Sequence, residues 1–428
     1  MKPVLQIALD FVDLKRALKL AEEAVAGGCD WIEAGTPLIK SEGLNCIRVL
    51  KKKFPGIKIV ADMKTADVGR LEVEIAAKAG ASVVTILGSA DDETIKEAVM
   101  AGKNYGAEIS VDLLGVADPA ARAKEIEKLG ADYIGVHIPI DEQMKGKLSF
   151  SALKKIASTV HIPVSIAGGI NSENAADAVA AGASIIIAGG AITKSPDAHK
   201  ATRDIKKSFL TGKKIQTKYF QRVSEENIID VLKKVSAANV SDAMHRGLPL
   251  SGIRPVSLNG KMAGRAVTVR TNPGDWAKPV EAIDVASPGD IVVIDAGGVA
   301  PAVWGELATH SAMSRKVGGV VIYGGIRDIA DIRELRFPAF ATLITPQASE
   351  PKGFGEINIP ITISGIKIFP DDWIIGDADG VMVISKSIAV EFVNRAMDVL
   401  ERENRLRKEI KEGSSLSEVA ELLKWEKK

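Results

Sequence analysis

Short strand-like runs recur along the first half of the chain: Val4–Leu9, Trp31–Ala34, Ile57–Ala61, Ser82–Leu87, Glu108–Val111, Tyr133–Val136, Val164–Ala167 and Ser184–Ala188. Between them lie segments rich in Ala, Lys and Glu whose apolar positions repeat with the 3.6-residue period of a helix. Asp13–Ala26, Leu71–Ala79, Asp91–Asn104 and Pro119–Leu129 are the clearest of these. Several stop at glycine just before the next run: Gly27-Gly28, Gly80, Gly106, Gly130 and Gly182. Glycine there supplies the left-handed cap that ends a helix. Strands and helices alternating through such short joints require parallel strands and right-handed crossovers. Eight units within about 210 residues predict an α/β fold of the (β/α)8 (TIM) barrel type; an open doubly wound sheet suits the count less well.

Past Leu210 the repeat stops. Thr211-Gly212-Lys213-Lys214 is polar with a glycine stop, so residues 211–222 are expected to link two domains, 1–210 and 223–428. Ser224 opens a helix expected to run through Ala238, and Asn239-Val240-Ser241 starts another. The texture then changes to short strands set apart by Gly and Pro: Arg265–Arg270, Asp290–Asp295, Gly319–Tyr323, Pro338–Thr342 and Val381–Ile384. Ser287-Pro288-Gly289-Asp290 and Phe369-Pro370-Asp371-Asp372 read as turns leading into strands. This mixture predicts a layered α/β or α+β domain rather than a second barrel. A last long helix, about 386–412, alternates charge signs through Glu401-Arg402-Glu403 and Arg407-Lys408-Glu409, the mark of a solvated face.

Composition narrows the function classes. With 428 residues the chain exceeds one core, and 46% hydrophobic with 26% charged residues is ordinary for a globular protein. A net charge of +1 gives no reason to expect nucleic acid or an anionic membrane as partner. Cys29 and Cys46 form no metal-binding spacing and suit a reducing, cytoplasmic setting. The start of the chain meets Asp10 too early for a signal peptide, and no apolar run is long enough to span a bilayer.

In a barrel of this kind chemistry gathers at the C-terminal ends of the strands, with phosphate held after the seventh and eighth. The first strand ends at Asp10, the second carries Glu33, and the third ends in Asp62-Met63-Lys64-Thr65-Ala66-Asp67. The fifth ends at Asp112 and the sixth at His137, while the last two end in Gly168-Gly169 and Gly189-Gly190. Glycine lets backbone N–H groups approach a phosphate. Glu33 and Asp62, on neighbouring strands, can share a hard divalent cation, Mg2+ rather than zinc, because the donors are oxygens. Such a cation stabilises an enediolate, Lys64 adds charge at the same oxygens, and His137 is the natural proton shuttle.

The combination Leu9-Asp10, Glu33-Ala34-Gly35-Thr36-Pro37, Asp62-Met63-Lys64-Thr65-Ala66-Asp67, Gly135-Val136-His137 and Ala188-Gly189-Gly190-Ala191-Ile192 resembles the 3-hexulose-6-phosphate synthase family, within the orotidine 5'-monophosphate decarboxylase superfamily. That resemblance covers residues 1–210 and implies Mg2+-dependent aldol addition of formaldehyde to ribulose 5-phosphate, and its reversal. It implies Glu33 and Asp62 as metal ligands, Lys64 as enediolate stabiliser and His137 as proton carrier assisted by Asp112. It also implies that Asp10 belongs to the catalytic set and that Asp67 reaches a neighbouring subunit's site, hence a dimer. The sister 3-keto-L-gulonate-6-phosphate decarboxylases carry arginine where this chain has Gly190, and remain the alternative. Pro139 stands where the synthase pattern has glycine, which puts the shape of the loop after the sixth strand in question.

In the second half Trp304-Gly305-Glu306-Leu307 opens a helix whose free N–H groups can hold a carboxylate, and Gly324-Gly325-Ile326-Arg327-Asp328 follows a strand. Glu306 is separated from Arg327-Asp328 by twenty residues. This spacing resembles the ribonuclease E activity regulator A-like family, which includes 4-hydroxy-4-methyl-2-oxoglutarate aldolases. The resemblance implies that Arg327 steadies a pyruvate enolate, Asp328 anchors Mg2+, Glu306 holds metal-bound water, and the Leu307 backbone meets the substrate carboxylate of a 2-oxo acid. Glu306 stands where the aldolases have aspartate, and the family also holds non-catalytic members that bind a ribonuclease. It implies a trimer for this domain.

Overall fold

The computed structural model describes residues 2–146, 149–217, 220, 222–257, 261–420 and 422. They form two compact units: Met1–Gln143, Lys147–Gln221 and Glu401–Lys428 in the first, Met144–Gly146 and Arg222–Leu400 in the second.

In the first unit eight strands close into a barrel: β1 (Val4–Leu9), β2 (Trp31–Ala34), β3 (Lys58–Thr65), β4 (Val83–Leu87), β5 (Glu108–Asp112), β6 (Tyr133–His137), β7 (Val164–Ala167) and β8 (Ile185–Ala188). Every pairing is parallel, and β1 meets β8 with Val4 opposite Ile185 and Ile7 opposite Ala188. The two-residue period of a strand sorts the side chains. Leu5, Ile7 and Leu9, with Ile32, Ala34, Ile59 and Ala61, join the large core shared with the helices. The alternate positions face inward. Trp31, Val60, Val83, Tyr133 and Ile185 pack together inside one end of the barrel, and Glu33, Asp62, Asp112 and His137 lie toward the C-terminal ends of β2, β3, β5 and β6.

The last long helix, Ala389–Lys411, departs from the solvated face that its charges predict. Glu401, Arg405 and Glu409 are all buried. Arg405 donates two bonds to Glu23, at 2.9 and 2.7 Å, and one to Glu409 at 2.8 Å, while Arg16 reaches Glu409 at 3.0 Å. The sign pattern does encode ion pairs four residues apart, but this face lies against the barrel helix Leu14–Ala26 rather than water. Removing one partner of a buried ion pair leaves the other charged and desolvated. Arg405→Met is therefore expected to destabilise the first unit by about 3 kcal/mol, the low end for such losses because Glu23 keeps some contact with water. Urea unfolding followed by circular dichroism measures this, and an unchanged midpoint would refute it.

In the second unit one mixed sheet runs in the order Gly380–Ile384, Trp373–Asp377, Met262–Arg270, Ile291–Asp295, Gly319–Ile326, Ala339–Ile344, Arg254–Ser257. The central four strands are parallel and the outer ones antiparallel. Val292, Ile294, Val320 and Ile322 face one core, and Ile291, Val293 and Val321 face another, which makes the layers. The expected helix through Ala238 breaks early. Ile228–Leu232 ends, and Ser236 caps a separate helix, Ala237–Ala243, in a reciprocal box with Asn239. Among the described residues no helix is long and apolar enough to cross a membrane.

Candidate active site

The third strand sets the geometry at the barrel mouth. Its pairing with β4 slips between Ala61 and Thr65, and Lys64 within that slip takes φ 47°. A bulge re-aims a side chain. Here it turns the ammonium back onto its own strand. Lys64 Nζ lies 3.0 Å from both oxygens of Asp62 and 3.3 Å from Asp112 Oδ2. His137 Nδ1 is 3.8 Å from that same Asp112 oxygen, while Asp112 Oδ1 accepts the Leu114 N–H at 2.9 Å. A chain of close polar contacts therefore links Asp62, Lys64, Asp112 and His137.

Two neighbours that sequence reasoning passed over complete the cluster. Thr36 Oγ1, in the first turn of the helix Thr36–Glu42, donates to Asp62 Oδ2 at 2.8 Å. Gln6 Nε2 donates to Glu33 Oε2 at 2.5 Å, both residues being buried. The even-numbered register of β1 points Gln6 into the barrel, and a buried glutamine there was the available signal.

Burial, followed by the negative charges of Asp62 and Asp10, pushes the Glu33 carboxyl well above its ordinary value, against the Gln6 hydrogen bond and the Lys64 charge. Asp10 is raised in the same way, by burial first and then by Asp62. Asp10 is exposed as a residue. Its Oδ1 nevertheless lies 2.3 Å from where a Cβ on Gly35 would sit, so the carboxyl itself is crowded. Burial opposes the Lys64 ammonium, but Asp62 and Asp112 outweigh it and hold the lysine charged above its usual range.

Four carboxylates, Asp10, Glu33, Asp62 and Asp112, thus surround one ammonium. An oxygen-only set with surplus negative charge fits a hard divalent cation. Among the described residues no three His, Cys, Asp or Glu side chains converge on one cation position. Mg2+ needs no such cage, because it binds through one or two carboxylates and keeps its other positions for water and substrate.

The backbone requires glycine at 168 and 169, whereas Gly189 has room for a side-chain carbon. Gly168 and Gly169 have φ 99° and 72°, and a Cβ on Gly189 would stand 3.7 Å from Asp10 Oδ2. Asp67 stands outside the cluster: it is exposed, and its Oδ1 takes the Val68 N–H at 2.7 Å. After β6, Gln143 closes the loop that contains Pro139 by donating to the Ile138 carbonyl at 2.7 Å.

The second unit brings its own set together. A cavity of about 230 Å³ is lined by Trp276, Trp304, Leu307, Ser311, Arg327 and Asp328, among others. One N–H of the helix start is engaged within the chain. Asp328 Oδ2 already accepts the Glu306 N–H at 3.1 Å and lies 3.4 Å from Arg327 Nε. Gly305 is required beside it, because a Cβ there would sit 2.5 Å from that oxygen. His310, one helical turn past Glu306, places Nε2 2.8 Å from Glu306 Oε1 and had escaped the sequence reading. Leu307 projects into solvent at 78% exposure.

Residues 3–205 match the family model described as orotidine 5'-phosphate decarboxylase / HUMPS family, and residues 237–383 match the RraA-like model, described as Aldolase/RraA. The chain is similar to 3-hexulose-6-phosphate synthase of Mycobacterium gastri, 43% identical over 202 residues, spanning 47% of this chain and 97% of that protein. A crystal structure of 3-hexulose-6-phosphate synthase is 41% identical with a TM-score of 0.46, over 48% of this chain and 99% of that one. The RNA-processing inhibitor RraA from Thermus thermophilis is 27% identical with a TM-score of 0.32, over 34% of this chain and 90% of that one.

Proposed function

Because the chain belongs, through residues 3–205, to the orotidine 5'-phosphate decarboxylase / HUMPS family, we propose that its barrel is an aldehyde-lyase joining formaldehyde to ribulose 5-phosphate. The observation that carries this reading is the relay from Asp62 through Lys64 and Asp112 to His137, within 3.8 Å at each step.

In the synthetic direction His137 takes a proton from C1 of ribulose 5-phosphate, the electron pair passes into an enediolate, and C1 attacks the formaldehyde carbon. The resulting alkoxide is protonated, giving 3-hexulose 6-phosphate; the cleavage direction retraces these steps. Asp112 lies 3.8 Å from Nδ1, on the side of the ring away from the proton that Nε2 would carry, and assists the transfer by orienting the imidazole. Lys64 is held charged, so it stabilises the enediolate oxygens and does not serve as the base. Glu33 and Asp62 would hold the Mg2+, which when bound supplies further positive charge at those oxygens. Gly168, Gly169, Gly189 and Gly190 admit the phosphate.

Val68, Leu71 and Met100 expose apolar side chains close in sequence to Asp67 or on the helix packed beside it, at 51%, 53% and 64%. That supports a dimer in which Asp67 serves the neighbouring site.

Incubation with ribulose 5-phosphate, formaldehyde and Mg2+ tests the reading. Formaldehyde should disappear one for one with ribulose 5-phosphate; release of CO2 from 3-keto-L-gulonate 6-phosphate without formaldehyde consumption would favour the decarboxylase instead.

For the RraA-like unit we infer a metal-dependent 2-oxo-acid lyase, assembled as a trimer. Arg327 beside Asp328 at one cavity suits a small 2-oxo acid: the guanidinium would steady the enolate, the Leu307 backbone would meet the carboxylate, and Asp328 would hold a divalent cation. Arg327→Ala is expected to cut pyruvate release from a 4-hydroxy-2-oxo diacid about 100-fold or more, as loss of a charge-stabilising donor does. If the unaltered chain releases no pyruvate and decarboxylates no oxaloacetate, this unit is a binding module.

A further inference from the structure

The helix Ala198–Thr211 closes the barrel repeat, but the chain does not leave the barrel there. Residues 213–217 run back across the loop that follows β7. The Ile215 N–H donates to the Ser172 carbonyl at 3.0 Å, and Ser172 Oγ returns a bond to the Ile215 carbonyl at 2.8 Å. The Thr217 N–H reaches Glu173 Oε1 at 2.8 Å, and Asn171 Nδ2 holds the Phe220 carbonyl at 3.2 Å. Asn171, Ser172 and Glu173 directly follow Gly168-Gly169-Ile170. This strap is therefore fastened to the loop that carries one glycine pair.

It delivers a side chain to the other pair. Phe220 is 7% exposed and belongs to the barrel core. Its ring carbon Cε2 lies 2.5 Å from where a Cβ on Gly190 would be, with Cζ at 3.2 Å. Phe220 also adopts φ 57°, a left-handed backbone that a bulky residue takes only where its surroundings impose it. Four hydrogen bonds and a strained backbone thus place one aromatic ring against one glycine. Residues 213–220 lie beyond the 3–205 span of the family match.

We infer that Phe220 is a positioning residue for the phosphate end of the barrel site, acting through Gly190. The ring fills the space that any side chain at 190 would occupy, so it fixes the glycine backbone and sets how large a group the strand end admits. An arginine at 190 has no room beside it. The inference rests on the barrel reading above, in which Gly189 and Gly190 meet the sugar phosphate.

Two measurements on the full chain test it. Phe220→Ala is expected to raise KM for ribulose 5-phosphate about tenfold while kcat stays within about twofold, because the loss is of ground-state positioning. Phe220→Leu should recover most of that KM. In the thermal cycle, Gly190→Ala alone should lower Tm, and adding Phe220→Ala should restore part of the loss instead of deepening it. An unchanged KM in Phe220→Ala, or Tm losses that simply add, overturns the inference. Should the unaltered chain consume no formaldehyde, the barrel reading fails on its own; calorimetric binding of ribulose 5-phosphate to the parent and to Phe220→Ala then decides the role of the ring, equal affinities refuting it.

Discussion

Lys64→Ala is expected to lower kcat for formaldehyde-dependent consumption of ribulose 5-phosphate by about 10²–10³-fold, the usual loss when a preorganised charge is removed from a developing oxyanion. The ammonium is positioned before substrate arrives, by Asp62 at 3.0 Å and Asp112 at 3.3 Å. Lys64→Arg should not recover the rate, because a planar fork cannot occupy the point between two carboxylates that a compact ammonium fills. The pH dependence separates this role from that of a base. The folded-state value of Lys64 is raised, so its stabilising contribution is complete below the ordinary lysine value and fades only as pH climbs past it. Between pH 6 and 9 the lysine contributes no titration, and any limb in the rate profile there belongs to other groups. Steady-state kinetics across that range, with circular dichroism to confirm folding, measure both points. A Lys64→Ala protein that keeps a tenth or more of the parent kcat would remove Lys64 from the mechanism.

The barrel was legible in sequence because each of its strands is bounded by punctuation and its inward positions break the apolar run. Glu33 stands out between Ile32 and Ala34, and Asp112 after Val111, only because a two-residue period leaves them no other face. The slip in β3 was not legible. Nothing in Asp62-Met63-Lys64 announces that Lys64 takes a positive φ, since that conformation is imposed by the closed barrel and the acids around it. The helix Ala389–Lys411 misled for a related reason. Glu401, Arg405 and Glu409 look like any solvated series of paired charges, and only their partners on another helix, Arg16 and Glu23, reveal a buried face. In the second unit the spacing from Glu306 to Arg327-Asp328 brings the Glu306 backbone N–H to Asp328, while the Glu306 carboxylate turns to His310, a partner that the spacing did not disclose. The turn Phe369-Pro370-Asp371-Asp372 announced the strand that follows it, Trp373–Asp377, although its span could not be read from Trp-Ile-Ile-Gly-Asp alone.

The same crowding that makes the barrel site chemically apt makes Glu33 a burden on the fold. Its carboxyl is buried, faces Asp62 and Asp10, and has a folded-state value well above the ordinary one. Linkage fixes the sign. Between the ordinary glutamate value and the raised one, the folded protein holds a proton that the unfolded chain has released, so stability falls as pH rises through that window. Glu33→Gln keeps the shape and the contact with Gln6 while removing the charge. In metal-free buffer at pH 7–8 the substitution is therefore expected to raise Tm, by about 3–5 °C for each pKa unit removed. The gain should vanish near pH 4.5, where both chains are neutral at this position. Mg2+ reverses the comparison. A cation that binds only the folded, ionised site stabilises in proportion to its concentration over its dissociation constant. The parent Tm should climb with Mg2+, the Glu33→Gln Tm should stay level, and the altered chain should lose turnover. Thermal scans in EDTA and in graded Mg2+ give all three readings on one protein preparation. A lower Tm for Glu33→Gln in EDTA would show that the carboxylate stabilises the empty barrel, and equal Mg2+ responses would place the cation elsewhere. Stability set aside at Glu33 is what the barrel reading requires, because a carboxylate already satisfied by its surroundings would have little left to offer a cation.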